Sequence, residues 1–230
     1  MQVKLSKRLA SVAVMVPKGS VVADIGTDHG YLPAYLVMSR ISPYVIATDV
    51  NKGPLAAAAN LISLLAVGKK IDLRLGDGLT VLMPGEVETI VIAGMGASTM
   101  IKILDQTPEV LSQAKRLILQ PMRNVPRLRT WLAEHQWEIK DEELIWEDEI
   151  FYEIVAADHG QSTLTQEEAE IGPILLKKKH PLLKEYLSER IKVLKSIEVS
   201  LQNSTKPRTE IQKQDLHEKI NTLERVMACL

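Results

Sequence analysis

The sequence predicts an α/β fold, a largely parallel sheet with helices on both faces, followed by an all-α hairpin. Three observations predict it. Five short, β-rich apolar runs, the fourth almost wholly so, alternate with helix-patterned segments, and continuous apolar strands belong to a parallel sheet covered on both sides. Two longer β-type runs then meet at an acidic turn, which reads as an antiparallel hairpin. From about residue 162 the strand signals stop and apolar residues recur at helical spacing. The 230 residues, 46% hydrophobic and 25% charged, have an ordinary globular composition that excludes a disordered, collagen-like or disulfide-stapled chain. The expected division is 1–160 for the sheet domain and 161–230 for the helical one.

Residues 5–16 read as an amphipathic helix, 21–25 as a buried strand ending at a glycine turn, 31–39 as a helix and 44–49 as a second strand. Residues 54–67 are an alanine- and leucine-rich helix with Pro54 in its first turn and Gly68 as its stop. A third strand at 71–75, a fourth at 89–94, a helix at 98–104, a fifth strand at 116–120 and a helix at 125–135 follow. The hairpin runs through 137–146 and 150–157 around Glu147-Asp148-Glu149. Parallel units closed by a hairpin match the Rossmann-like sheet of class I methyltransferases; a dehydrogenase sheet usually continues with parallel units. In the tail, Leu183, Leu187, Leu194, Ile197 and Leu201 fall at 3–4 spacing, with Arg190 interrupting beside Ile191. Leu216, Ile220, Leu223, Met227 and Leu230 repeat the pattern after the polar stretch from Gln202 to Pro207. Two heptad-patterned helices joined by a short loop suggest an antiparallel coiled coil; two amphipathic helices packed on the sheet domain are the competing reading.

Four turns carry the candidate site, each just beyond a strand's carboxyl end, where ligands of open parallel sheets lie. In Asp24-Ile25-Gly26-Thr27-Asp28-His29-Gly30-Tyr31, Gly26 lets the backbone turn tightly and approach a ligand. The dinucleotide fingerprint needs three glycines, and only Gly26 and Gly30 are present, which suits a nucleoside without a pyrophosphate. Asp49 ends the second strand about twenty residues on, placed to accept both ribose hydroxyls; a helix N-cap is the alternative. Asp77, between Gly76 and Gly78, is placed to accept from an adenine amino group, or simply makes an Asp-Gly turn. Ala93-Gly94-Met95-Gly96 follows the fourth strand and leaves room for a reactive centre and a flat substrate. It lacks the Asn/Asp-Pro-Pro-aromatic sequence of amino-group methylases, which argues against exocyclic amine chemistry. Gln120-Pro121-Met122-Arg123-Asn124 leaves the fifth strand close by.

Asp24-Ile25-Gly26-Thr27-Asp28-His29-Gly30, Ala93-Gly94-Met95-Gly96 and Leu119-Gln120-Pro121, followed by a helical hairpin, resemble the bacterial tRNA (adenine-22-N1)-methyltransferase family, TrmK. The resemblance spans essentially the whole chain. It implies a Rossmann-like domain with a C-terminal coiled coil that moves a methyl group from S-adenosylmethionine to N1 of an adenine in tRNA. The implied cofactor residues are Asp24, Gly26 and Thr27 at the methionine end, Asp49, Val50 and Asn51 at the ribose, and Gly76, Asp77 and Gly78 at the adenine. Ala93, Gly94, Met95 and Gln120 line the transfer centre. Met95, Asp28, His29 and Tyr31 are the candidates for facing the target base, with a loop histidine bonded to its own turn as the other reading of His29.

Phosphate contacts need cations. Lys4, Lys7 and Arg8 on the first helix, Arg123, Arg127 and Arg129 near the exit of the fifth strand, and Lys178 in the run Lys177-Lys178-Lys179-His180 are the candidates, with a solvated face as the alternative for the run. From Gln161 onward twelve Lys/Arg stand against ten Asp/Glu, so the tail is only slightly basic. The formal net charge is −1, so bulk charge does not mark a nucleic-acid binder, and 4% aromatics argue against a large base-stacking platform. One cysteine, Cys229, excludes an internal disulfide and a cysteine-rich metal site. The short apolar run near the N-terminus, without a cleavage site, suggests a cytoplasmic protein with no membrane segment. No metal and no second copy is required. A small-molecule methyltransferase, a catalytically silent S-adenosylmethionine-binding adaptor and a nicotinamide oxidoreductase are the rival classes; the missing third glycine counts against the last.

Overall fold

The strands gather into one seven-stranded sheet of order β3-β2-β1-β4-β5-β7-β6. They are β1 (Val22–Ile25), β2 (Val45–Asp49), β3 (Ile71–Leu75), β4 (Thr89–Met95), β5 (Arg116–Pro121), β6 (Trp137–Glu147) and β7 (Ile150–His159). The structure, a computed structural model, describes residues 3–202 and 208–230, with side chains described over 3–201 and 212–230. Two compact units emerge, one ending at Ser162 and the other covering Thr163–Leu230.

In the first unit β1 to β5 pair in parallel, and β7 runs antiparallel between β5 and β6. The helices around the sheet are α1 (Lys7–Met15), α2 (Tyr31–Met38), α3 (Lys52–Leu64), α4 (Ala97–Asp105), α5 (Pro108–Leu111) and α6 (Val125–Glu134). Every residue of β1 and β2 is buried, which is why those runs are mostly apolar rather than alternating, with Asp24, Thr48 and Asp49 the buried exceptions. The chain order reverses direction at β1 and β4, and a crevice opens there beyond the strand ends. At the hairpin tip Asp148 and Glu149 take φ of 50° and 62°, the double left-handed conformation that a two-residue turn of matching twist requires.

Local chemistry moves a few boundaries. Helix α3 stops at Leu64, earlier than expected, because Ala66 takes φ of 55° and Val67 N–H reaches back to the Ile62 carbonyl (3.2 Å). Ala66, not Gly68, therefore fills the left-handed capping position, and Gly68 begins a short 3-10 turn instead. Helix α5 is an element the sequence reading did not propose. Behind the sheet, Arg129 of α6 is fully buried and bonds Glu142 of β6 (2.7 Å) and Glu153 of β7 (2.5 Å), fastening helix to hairpin.

The second unit contains α7 (Gln166–Ile171), α8 (Pro173–Lys178), α9 (Leu183–Gln202) and α10 (Arg208–Ala228). Helices α9 and α10 pack on each other, and Lys195–Glu224 (2.6 Å) and His217–Glu198 (3.1 Å) show that they run in opposite directions. Their seam buries Leu187, Ile191, Leu216, Ile220, Leu223 and Val226, so Val226 occupies the inward place expected of its neighbour Met227. Arg190 interrupts the seam because it bonds Glu170 of α7 and covers the Tyr186 ring. Farther along α9, Ile197 is 43% exposed, since a two-helix layer leaves its seam partly in water. The tail turn expected at 203–207 lies outside the described residues. Among the described residues, no helix is long and apolar enough to cross a membrane.

Candidate active site

The crevice holds a cavity of about 550 Å³ lined by the turns after β1, β2, β3 and β4, together with α1 and α4. After β1 the backbone doubles back on β2: the N–H groups of Gly26 and Thr27 both donate to the Thr48 carbonyl (2.8 Å each). Gly26 has φ of 76°, which strains any residue with a side chain, and a Cβ there would push aside the Met95 methyl group. Gly30 starts α2 at φ of 72°, where a Cβ would press on Ala58 of α3.

Asp49 is buried, and its carboxylate is held by two backbone donors. Asn51 N–H donates to Oδ1 (2.8 Å) and Asp28 N–H to Oδ2 (3.3 Å), which fixes the group while leaving further lone pairs toward the cavity. Asp24 lies buried nearby. Burial pushes its carboxyl up to about 6; the Thr27 side chain opposes that rise and the Asp49 carboxylate adds to it. Thr48 Oγ1 is buried without a hydrogen-bond partner among the described residues. After β3, Gly76 N–H bonds the Asp49 carbonyl (3.0 Å), and Asp77 Oδ2 accepts from Gln106 Nε2 (3.2 Å). Gly78 sits at φ of 60° against Ile103.

The β4 wall is irregular. The register pairs Ala93 with Gln120 and Met95 with Pro121, so Gly94 is an extra, bulged residue at φ of 79°. Its N–H donates to Gln120 Oε1 (3.1 Å). At the mouth, His29 Nε2 is 3.6 Å from Asp28 Oδ1, with its ring 5.9 Å from that of Tyr31; all three side chains are well exposed.

Asp24, Gly26, Thr27, Asp28, His29, Tyr31, Asp49, Val50, Asn51, Gly76, Asp77, Gly78, Ala93, Gly94 and Met95 thus line one cavity. Gln120 does not face it; fully buried, it braces the wall from behind. Arg8, read as a phosphate contact, lines the cavity and places Nη1 on Gln120 Oε1 (2.5 Å). Lys7, Arg123 and Arg127 are exposed outside the cavity, and Lys178 is exposed on the second unit. Sequence reasoning missed Leu9, Ile25, Leu32, Thr48, Pro54, Thr99 and Ile103 among the lining residues. Thr99 and Ile103 lie four apart on α4, a spacing that puts them on one helix face and was available as a signal.

A doubly wound sheet of this order, with an acidic nucleoside-sized cavity at its switch point and no phosphate-binding glycine triplet, defines a class I, S-adenosylmethionine-dependent methyltransferase. The model of the tRNA (adenine(22)-N(1))-methyltransferase family, TrmK, matches residues 22–225, and the chain belongs to that family. It is 33% identical to the tRNA (adenine(22)-N(1))-methyltransferase of Bacillus subtilis over 97% of this chain and 95% of that protein. The crystal structure of the B. subtilis enzyme superposes with a TM-score of 0.90 at 31% identity, covering 98% of this chain and 100% of that one. Streptococcus pneumoniae Sp1610 in complex with S-adenosyl-L-methionine superposes at 0.88 with 32% identity, over 97% of this chain and 100% of that one.

Proposed function

We propose that this chain methylates N1 of adenine 22 in tRNA, with cofactor and target base meeting at the Gly94–Met95 wall of the first unit. The observation that carries the reading is the single cavity that joins four carboxylates to an open glycine-lined wall. S-adenosylmethionine supplies a methyl group already activated on a sulfonium.

Asp49, braced by backbone donors, and Asn51 hold the ribose, with Val50 alongside. Asp77 takes the adenine amino group between Gly76 and Gly78. Asp24, Gly26 and Thr27 receive the methionine end, and the unpartnered Thr48 hydroxyl offers one more contact. Ala93, Gly94 and Met95 form the wall at the transferred methyl group. Asp28, His29 and Tyr31, at the mouth, face the incoming adenine. The N1 lone pair attacks without prior deprotonation, so positioning does most of the work. The base becomes cationic on methylation, and the ring of carboxylates favours that charge. N1 lies on the pairing edge, so a paired target must be opened or flipped first. Lys7, Arg123, Arg127 and Lys178 meet tRNA phosphates. The reaction takes place in the cytoplasm and needs neither a metal nor a second copy.

The test is methyl transfer from labelled S-adenosylmethionine to unmodified tRNA transcripts, with the position mapped by a reverse-transcription stop. A stop at adenine 22 is the expected result. Label at another nucleotide overturns the regiochemistry. No incorporation by a protein that binds the cofactor overturns the tRNA substrate, in favour of a small-molecule enzyme or a silent adaptor.

A further inference from the structure

Gly94 presents a packing problem that the reaction alone does not explain. As the extra residue of a bulge, it falls out of the β4–β5 ladder on an exposed stretch of the wall, where water competes for its N–H. That N–H turns instead to Gln120 Oε1 (3.1 Å). The Gln120 amide is oriented from both sides. Its Nε2 donates to the Pro121 carbonyl (3.0 Å), and its Oε1 also accepts from Arg8 Nη1 (2.5 Å). Arg8 is anchored in turn: the N–H groups of Lys7 and Arg8 donate to the Glu147 carboxylate (2.6 and 3.3 Å), and the guanidinium lies 5.5 Å over the Tyr152 ring. A line of contacts therefore runs from the β6–β7 hairpin through the start of α1 to the wall that carries Met95 across Gly26.

We propose that Arg8 and Gln120 are a positioning pair that holds the Gly94 bulge and so sets the rate of methyl transfer through the geometry of the wall; this rests on reading the cavity as the transfer centre. The charge on Arg8 supports it. A guanidinium free to swing toward the transfer centre would oppose the positive charge developing on the adenine, whereas the bonds to Gln120 and the stacking on Tyr152 keep it against the wall. A charged donor also makes the stronger hydrogen bond, so Arg8 stiffens an amide that a neutral donor would hold more loosely.

The experiment compares Arg8→Met, Gln120→Met, the double variant and Arg8→Lys in the full chain. It measures kcat and KM on tRNA, S-adenosylhomocysteine affinity by calorimetry, and hydrogen exchange of the Gly94 amide without ligand. Each methionine variant is expected to lower kcat roughly tenfold, with KM and ligand affinity within about threefold, since geometry rather than binding is lost. The double variant is expected to be no worse than the poorer single, the signature of two residues acting as one unit. Arg8→Lys restores part of kcat, and Gly94 exchange quickens in both methionine variants. Additive losses, an unchanged Gly94 exchange rate, or an Arg8→Met defect confined to ligand affinity or tRNA KM would overturn the pair. If the unaltered protein methylates no tRNA while Gly94 exchange responds as expected, the brace stands and the functional reading fails.

Discussion

Asp24 and Asp49 sit close together in the same pocket, yet their surroundings give them different tasks. Asp49 is bound by two backbone donors and is ready to accept from a ligand. In the proposed role, removing it deletes two charge-assisted bonds to the ribose, on the order of 3 kcal/mol or about a hundredfold in affinity. Asp49→Ala should show that loss in calorimetry with S-adenosylhomocysteine, and near-normal affinity would refute its role. Asp24 carries a cost instead. Its carboxyl is raised from 3.8 to about 6, chiefly by burial, so between those values the folded protein binds more protons than the unfolded chain. Stability therefore falls as pH rises through that window, by about 3 kcal/mol, and stays low above it. Asp24→Asn removes the buried charge. It should melt higher than the parent at pH 8, with the advantage shrinking toward pH 4, and should bind S-adenosylhomocysteine more weakly. An unaltered melting temperature at pH 8 would mean that Asp24 carries no such penalty. A residue held at a stability cost inside a ligand cavity is what a functional site leads one to expect.

At the scale of elements, the same contrast between burial and charge explains the clamp behind the sheet. Arg129 neutralises Glu142 and Glu153 where α6 crosses the hairpin. Arg129→Met withdraws the guanidinium from two buried carboxylates and should cost about 3–5 kcal/mol in denaturant unfolding. Adding Glu142→Gln and Glu153→Gln should recover most of it; a mild single-variant effect would show that the cluster is well solvated. None of this was legible in sequence, where Arg129 reads as a phosphate contact beside Arg123 and Arg127, a role its full burial rules out, and Glu142 and Glu153 carry no signal. What was legible followed from local pattern. The strand at Ile71–Leu75 has the expected bounds, and the glycine turns after β1 and β3 place their aspartates on the cavity. Their signals are short-range: strand-type runs bounded by turns and conformations open to glycine. The Gly94 bulge was not legible because it depends on register against β5, a long-range fact. The Arg8–Gln120 bond was hidden for the same reason, since 112 residues separate the partners. The end of α3 was misplaced because Ala66 took a conformation that composition assigns to Gly68.

For the whole molecule, the net charge of −1 poses a problem for a tRNA enzyme, because phosphate binding must come from local clusters rather than from an overall field. The cavity itself is acidic and would repel a phosphate backbone, which suits a site that admits one base and keeps the strand outside. The cations must then lie around it or elsewhere in the molecule. Arg127 is exposed near the start of α6 in the first unit, where it also bonds Ser98 Oγ (3.3 Å), and Lys178 is exposed at the end of α8 in the second. If tRNA engages both units, each residue contributes one neutralised phosphate. Arg127→Glu and Lys178→Glu should each weaken tRNA binding by about three- to tenfold at low salt and reduce the slope of log affinity against log salt by roughly one. S-adenosylhomocysteine affinity should remain as in the parent, since neither side chain lines the cavity. The two variants separate the units: loss at Arg127 with none at Lys178 would confine tRNA to the sheet domain and leave α9 and α10 for another task. Losses at both, with an intact salt slope, would point to disturbed folding rather than lost phosphate contacts, which the melting temperature of each variant would register.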